Sequence, residues 1–254
     1  MTPAVSASEP PDPFTGKQPI ELVGVDASGR TVVRSLLAHG EAPAAVLAAA
    51  GFAVVALRGA ARRQGRGHVL TFTFEVVAPG GPAARTAIDP QARAPREPLW
   101  DDGLVATPGE IPRRVQRVAA HAVVTSDRGI LLTEFSDRTN SPGLWGLPGG
   151  GLDPGESPAD AVVREIWEET GQRVTSPALA DLQSSHWIGR APTGVLEDFH
   201  ALRVLYRASC PEPVEAVVLD VGGTTSAARW VEPAAVADLP LTDTWRAALL
   251  GLLH

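Results

Sequence analysis

Residues 149–170 read GGGLDPGESPADAVVREIWEET, and they place Glu165, Glu168 and Glu169 at i, i+3 and i+4 on one helix. The helix is punctuated at both ends. Ser157 can cap its start, Pro158 takes the first helical position, Asp160 follows Ser157 at capping-box distance, and Gly171 supplies a stop. Val162 and Ile166, four apart, face the core, so the three carboxylates flank that apolar stripe instead of crowding the exposed pole. Like charges at this spacing repel by about 0.2–0.5 kcal/mol per pair on an isolated helix, and by more where water is scarce. A hard divalent cation with oxygen ligands, such as Mg2+, would reverse that cost. Arg164 offsets part of the charge through Glu168 at i+4. Upstream, LPGGGLDPGE is a glycine-rich bend whose backbone can come close to a phosphate or a cation. A solvated Glu/Arg face with i, i+4 ion pairs is the plainer reading of the helix alone; the glycine bend and the full spacing favour the cation.

Outward from that helix, composition narrows the class. The chain has 254 residues, 44% of them hydrophobic, enough for one large domain or two smaller ones. A net charge of -7 argues against a surface built for nucleic-acid backbone or anionic lipid and leaves small anionic substrates open. Cys210 is the single cysteine, which rules out an intrachain disulfide and fits a reducing cytoplasm. No run of about 20 apolar residues is present to span a membrane. MTPAVSASEPPDP lacks the basic start and apolar stretch of a signal peptide.

Residues 1–17 read as a disordered tail. Residues 18–77 read as a small α+β accessory domain: a hairpin turning at Ala27 to Gly29, a helix in EAPAAVLAAAGF, and the strands AVVAL and HVLTFTFEVV around an arginine-rich loop. Residues 78–112, rich in proline, glycine, alanine and arginine, read as a linker. Residues 113–254 read as the second domain, with strands at Val115 to Val124, Ile130 to Glu134, Asp181 to Ile188, His200 to Tyr206 and Ala228 to Val231, the quoted helix, and two terminal helices. That mixture predicts an α/β sandwich. Trp145, Trp167 and Trp187 are read as core or rim packing, and His121, His186 and His200 as structural. The arginines at 58, 62, 63 and 66 are read as a solvated connection.

Gly150, then Glu156, then Arg164-Glu165-Ile166-Trp167-Glu168-Glu169-Thr170-Gly171, at these spacings, resembles the signature of the Nudix hydrolases. Only the last position departs: Gln172 stands where the family usually has an aliphatic residue. The resemblance implies a Nudix-type α/β/α sandwich that hydrolyses a nucleoside diphosphate linked to another group, with Mg2+ or Mn2+ as cofactor. It implies Glu165, Glu168, Glu169 and the Gly149 carbonyl as metal ligands, Arg164 as the residue orienting the glutamates, and Glu156 as part of the same polar network. The catalytic set is then Arg164, Glu165, Glu168 and Glu169, with one glutamate or an acid outside the motif, among Glu197, Asp198, Glu215 and Asp220, as base.

Marks of particular subgroups are missing or broken. HWIGR carries neither the proline associated with ADP-ribose hydrolases nor the tyrosine of diadenosine-polyphosphate hydrolases, and Leu131-Leu132-Thr133 continues as Glu134-Phe135, unlike the coenzyme A subgroup. The reading therefore leans to nucleoside triphosphates, oxidised ones included, with ADP-ribose or a sugar nucleotide as the alternative. A Nudix-fold ligand sensor is the alternative from a different class, disfavoured by the intact glutamates. Expected partners are a nucleotide-type small molecule and neither membrane nor nucleic acid, with a homodimer left open.

Overall fold

A computed structural model describes residues 19–63, 69–78 and 98–253. The tail at 1–17, Arg66 and most of the expected linker lie outside the described residues. The first sheet has the order β2-β1-β4-β3, formed by β1 (Ile20–Val25), β2 (Thr31–Leu36), β3 (Ala53–Arg63) and β4 (Val69–Val77). β1 and β2 make the expected hairpin, and β1 runs parallel to β4. The hairpin turn is held by Asp26, which accepts from the Ser28 hydroxyl at 2.6 Å and from the Arg30 amide at 3.1 Å. Helix α1 (Pro43–Ala49) buries Ala44 and Leu47 on this sheet. Arg58, Arg62 and Arg63 belong to β3 and not to a loop.

The second sheet has the order β12-β7-β6-β11-β10-β5. Its strands are β5 (Leu99–Trp100), β6 (Arg113–Ser126), β7 (Gly129–Phe135), β10 (Thr175–Arg190), β11 (Leu196–Ser209) and β12 (Thr225–Val231). Two short pieces, β8 (Trp145–Gly146) and β9 (Gly149–Gly151), pair with β7 and β6. β5 falls within the stretch read as linker, where it runs parallel to β10 at Trp187 and Ile188. Helix α2 (Pro158–Thr170) carries the quoted motif and α3 (Asp243–Leu253) closes the chain. The first of the two expected terminal helices is a 3-10 turn, Pro233–Asp238. No described helix is long and apolar enough to cross a membrane.

Strand alternation divides the interior in two. Ala120, Ala122 and Val124 of β6, Leu131 of β7, and Leu202, Val204 and Tyr206 of β11 face one side, where they meet Val162 and Ile166 of α2. Val123, Ile130, Leu132 and Leu205 face the other, against Val236, Trp245 and Leu249. This is an α/β/α sandwich, as the resemblance implies. The first core does not stop at the sandwich: Leu22, Leu47, Phe72 and Phe74 of the N-terminal unit belong to the same buried cluster as Val162, Ile166 and Leu182.

Candidate active site

Helix α2 begins as its sequence dictates. Ser157 has extended backbone and its hydroxyl oxygen accepts from the Asp160 amide at 3.2 Å, with Pro158 next in line. Gly171 ends it in the left-handed region, at φ 68°. The loop that leads into β12 then covers the helix end: the Leu219 and Asp220 amides donate to the Glu168 carbonyl at 2.8 and 2.9 Å, and the Val217 amide to that of Thr170 at 3.0 Å. These bonds satisfy carbonyls that a helix terminus otherwise leaves open.

Arg164 is the hub of the site. Its Nε and Nη2 donate to the two carboxylate oxygens of Glu156, its Nη1 to Glu165 and Glu168, all at 2.9 Å, and its Nη2 also to the Gly151 carbonyl at 3.0 Å. The fork geometry of a guanidinium makes this set of contacts attainable. Burial would raise the Glu156 pKa, but its bonds to Arg164 outweigh that and lower it. Glu165 is raised, chiefly by burial and against the pull of Arg164.

Glu169 sits deepest, 7% exposed. One carboxylate oxygen accepts from the Gly149 amide at 2.8 Å and the other from the Thr225 hydroxyl at 2.5 Å. Burial pushes its pKa up to about 7 in spite of these donors. Glu168 is the most open of the three, its side chain 41% exposed.

The glycine strand β9 explains the bend. Gly149 lies at φ 137°, and a Cβ there would stand 2.2 Å from the Ala120 carbonyl oxygen. A Cβ at Gly150 would stand 2.6 Å from the Glu165 carboxylate, so a side chain there would displace that carboxylate. A Cβ at Gly151 would meet the Arg117 guanidinium at the same distance.

Arg117 is a residue that the motif does not contain. With Arg203 it comes from alternate, otherwise apolar strand positions, and its register opposite Ala201 brings it beside the glycine strand. The positive charge of Arg117 also acts on Glu165. Arg203 donates to the Ser185 hydroxyl at 2.9 Å and lies near the Trp187 and Trp245 rings. His121, 4.6 Å from Trp245 between ring centroids, is buried, and burial with the nearby Arg203 lowers its pKa to about 3.

Among the four outside acids, only Asp220 acts electrostatically on Glu169. Glu197 is paired with Arg113 at 2.6 Å, Glu215 is exposed beside Arg128, and Asp198 joins a histidine cluster. Trp145 is buried, Trp167 is part-exposed beneath Arg173, and Trp187 packs on Phe199. Gln172, the departure from the signature, is 1% exposed and fully used. Its Nε2 donates to the Thr170 carbonyl at 3.0 Å and its Oε1 accepts from the Val214 amide at 3.0 Å.

The donor set fits a hard cation: carboxylate oxygens at the edge of a core, one of them solvent-facing and another carrying a burial cost that a cation would relieve. The three glutamates do not converge on a single point in this conformation, because Arg164 Nη1 lies between Glu165 and Glu168.

The chain is similar to known proteins. The NUDIX domain matches residues 115–250. Over 165 residues the chain is 29% identical to the m7GpppN-mRNA hydrolase NUDT17 of Bos taurus, covering 62% of this chain and 51% of that protein. Over 65 residues it is 40% identical to the nucleoside triphosphatase NudI of Enterobacter sp. (strain 638), covering 25% of this chain and 46% of that one. The chain thus spans about half the length, or less, of these curated relatives. Among solved structures, the MutT NUDIX hydrolase from Burkholderia pseudomallei is 29% identical with a TM-score of 0.41, covering 54% of this chain and 98% of that one. With its glutamate helix, glycine strand and more than half of its length inside the matched domain, the chain belongs to the Nudix family.

Proposed function

We propose that the chain is a divalent-metal-dependent hydrolase of phosphoric anhydride bonds in nucleotide substrates, nucleoside triphosphates first, with ADP-ribose and sugar nucleotides behind them. The observation that carries this is the Arg164 hub, which holds Glu156, Glu165 and Glu168 beside the glycine strand β9. Glu165, Glu168 and Glu169 would hold Mg2+ or Mn2+, with the Gly149 carbonyl as a further ligand. When bound, such an ion neutralises phosphoryl charge and makes water a better nucleophile.

The chain's own residues do the rest. Arg164 orients the Glu165 and Glu168 carboxylates through its Nη1. In the metal-free site burial, with smaller repulsion from Glu165 and Asp220, holds the Glu169 pKa up at about 7, so this carboxylate can take a proton near neutral pH until an ion binds it. Arg117, beside Gly151 and Glu165, presents a guanidinium to the substrate's phosphates. The lean to triphosphates rests on the missing marks of other subgroups and on the similarity to a protein named as a nucleoside triphosphatase.

A panel of nucleotides assayed for phosphate or pyrophosphate release tests the reading. Release from a nucleoside triphosphate is expected with Mg2+, and is abolished by a chelator and by Glu165→Gln. Binding of a nucleotide without release, by a folded chain with Mg2+, would favour the ligand-sensor reading instead.

A further inference from the structure

We propose that His39, His186 and Asp198 bind a divalent transition-metal ion, Zn2+ before others, at the junction of the N-terminal unit and the Nudix sandwich. The three come from separate parts of the chain: His39 from the turn after β2, His186 from β10, Asp198 from β11. His39 and Asp198 are 159 residues apart in sequence. Yet both imidazoles direct Nε2 at one oxygen, Asp198 Oδ1, at 2.8 Å from His39 and 2.5 Å from His186. Their rings stand nearly perpendicular, with centroids 5.2 Å apart, and all three side chains are 17–18% exposed. Among the described residues this is the only trio of histidine, cysteine or acidic ligand atoms lying within 4.8 Å of one another.

The surroundings are built around this point. His200, next to the trio, is fully committed elsewhere: its Nδ1 faces the Gly40 amide at 3.0 Å and Gln116 at 2.8 Å, and its Nε2 faces Ser184 at 3.0 Å. Accepting at Nδ1 leaves Nε2–H to donate to Ser184, which fixes the ring as a wall. Gly40 has φ 79°, and a Cβ there would stand 2.7 Å from His186 Cε1, so the turn is fitted against that ring. The paired strand residues His186 and His200 lie opposite each other in register, and Asp198 is opposite Ile188. Arg114 reaches only the other oxygen, Oδ2, at 3.6 Å.

Two neutral imidazoles and one carboxylate give a single negative charge and nitrogen-rich ligation, which suits zinc better than magnesium. A tetrahedral zinc with bonds of about 2.0–2.1 Å needs ligand atoms about 3.3 Å apart. The rings must therefore withdraw from the present hydrogen-bonded contacts of 2.8 and 2.5 Å, by roughly 0.5 Å for His39 and roughly 0.8 Å for His186, and each neutral imidazole must carry its proton on Nδ1 so that the Nε2 lone pair is free for the metal. Three protein ligands leave the fourth position to water. Such an ion would tie the turn carrying His39 to β10 and β11 of the second sheet.

The site differs in chemistry from the glutamates of α2, so the two can be separated by experiment. The full chain is stripped with a chelator, titrated with Zn2+ and with Co2+, and desalted. The expected result is one equivalent of zinc retained per chain, the intense visible bands of tetrahedral cobalt, and a melting temperature that rises with zinc. His39→Ala and Asp198→Asn should each weaken zinc binding by about a hundredfold or more, since even outer-shell partners cost 10–100-fold. Glu168→Gln should leave it unchanged. His39→Gln, which keeps the bulk of the ring, guards against a variant that fails to fold, with circular dichroism as the check. Failure of the desalted full chain to retain zinc would overturn the site and leave the trio a hydrogen-bonded bolt. Zinc lost with Glu168→Gln but kept with His39→Ala would place the ion at the glutamates and overturn it as well.

Discussion

Glu168 is the most solvent-facing of the three glutamates, yet it shares Arg164 Nη1 with Glu165. Replacing it by glutamine removes a ligand charge and keeps an acceptor for Arg164. Turnover is expected to fall at least about a hundredfold, equivalent to ~2.7 kcal/mol of transition-state stabilisation, with an unchanged circular dichroism spectrum; near-normal turnover would sink the ligand assignment. His121 yields a different kind of prediction. Its native pKa of about 3 lies below the ordinary 6.5, so between those values the unfolded chain binds a proton that the folded chain refuses. The stability it supports is complete above 6.5 and is lost as pH falls towards 3, with a slope approaching about 1.4 kcal/mol per pH unit. His121→Gln should flatten the decline in urea midpoint between pH 7 and pH 4. Glu169 has the opposite sign, because its raised pKa makes the metal-free native state gain from protonation below about 7. It is common to both chains, so the difference between them reports His121.

At the scale of elements, the end of α2 is held by the loop that follows β11. Gln172 accepts from the Val214 amide, and the amides of Val217, Leu219 and Asp220 close on the helix carbonyls. Gln172→Leu, which restores the aliphatic residue the signature usually has, should therefore destabilise this chain by about 1–3 kcal/mol, the cost of a buried donor left unmade. Limited proteolysis should cut sooner within 210–221, and an unchanged urea midpoint would show the polar staple to be idle. This loop was illegible in the sequence because its order comes from backbone bonds to a helix, not from periodicity. The helix itself was legible at both ends, since Ser157, Pro158 and Gly171 each act locally. Long strands such as β6 and β11 were legible from their apolar runs. β5, β8 and β9 were not: two or three residues carry no period, and β9 is all glycine and becomes a strand only by pairing with β6. The same distinction divides the sites. Glu165, Glu168 and Glu169 announce themselves by spacing, whereas Arg117 and the His39, His186 and Asp198 trio are assembled by strand register and by chain returning from far away.

For the whole molecule, the N-terminal unit matters through its contacts. Arg62 of β3 donates to the Glu156 carbonyl at 3.0 Å, immediately before the cap of α2. Leu22, Leu47 and Phe72 share a buried cluster with Val162 and Ile166. The sequence suggests that a chain beginning near Thr107 folds and hydrolyses by itself. Given the shared cluster, such a shortened chain should keep the sandwich and measurable turnover but melt lower and bind more of a hydrophobic dye, because the apolar face it bares faces water. Calorimetry and dye fluorescence against the full chain check this; an insoluble product would make the two sheets one folding unit.

The continuity of that cluster also has a meaning for descent. A unit that only tethers can be exchanged between genes like a bead on a string, keeping its own history. One whose leucines and phenylalanines fill the same interior as the glutamate helix cannot, because each change of volume on one side must be answered on the other. The N-terminal sheet should therefore travel through lineages together with this particular α2 and β10, its buried positions drifting in step with theirs, while the exposed Thr31 and Leu36 of β2 drift freely.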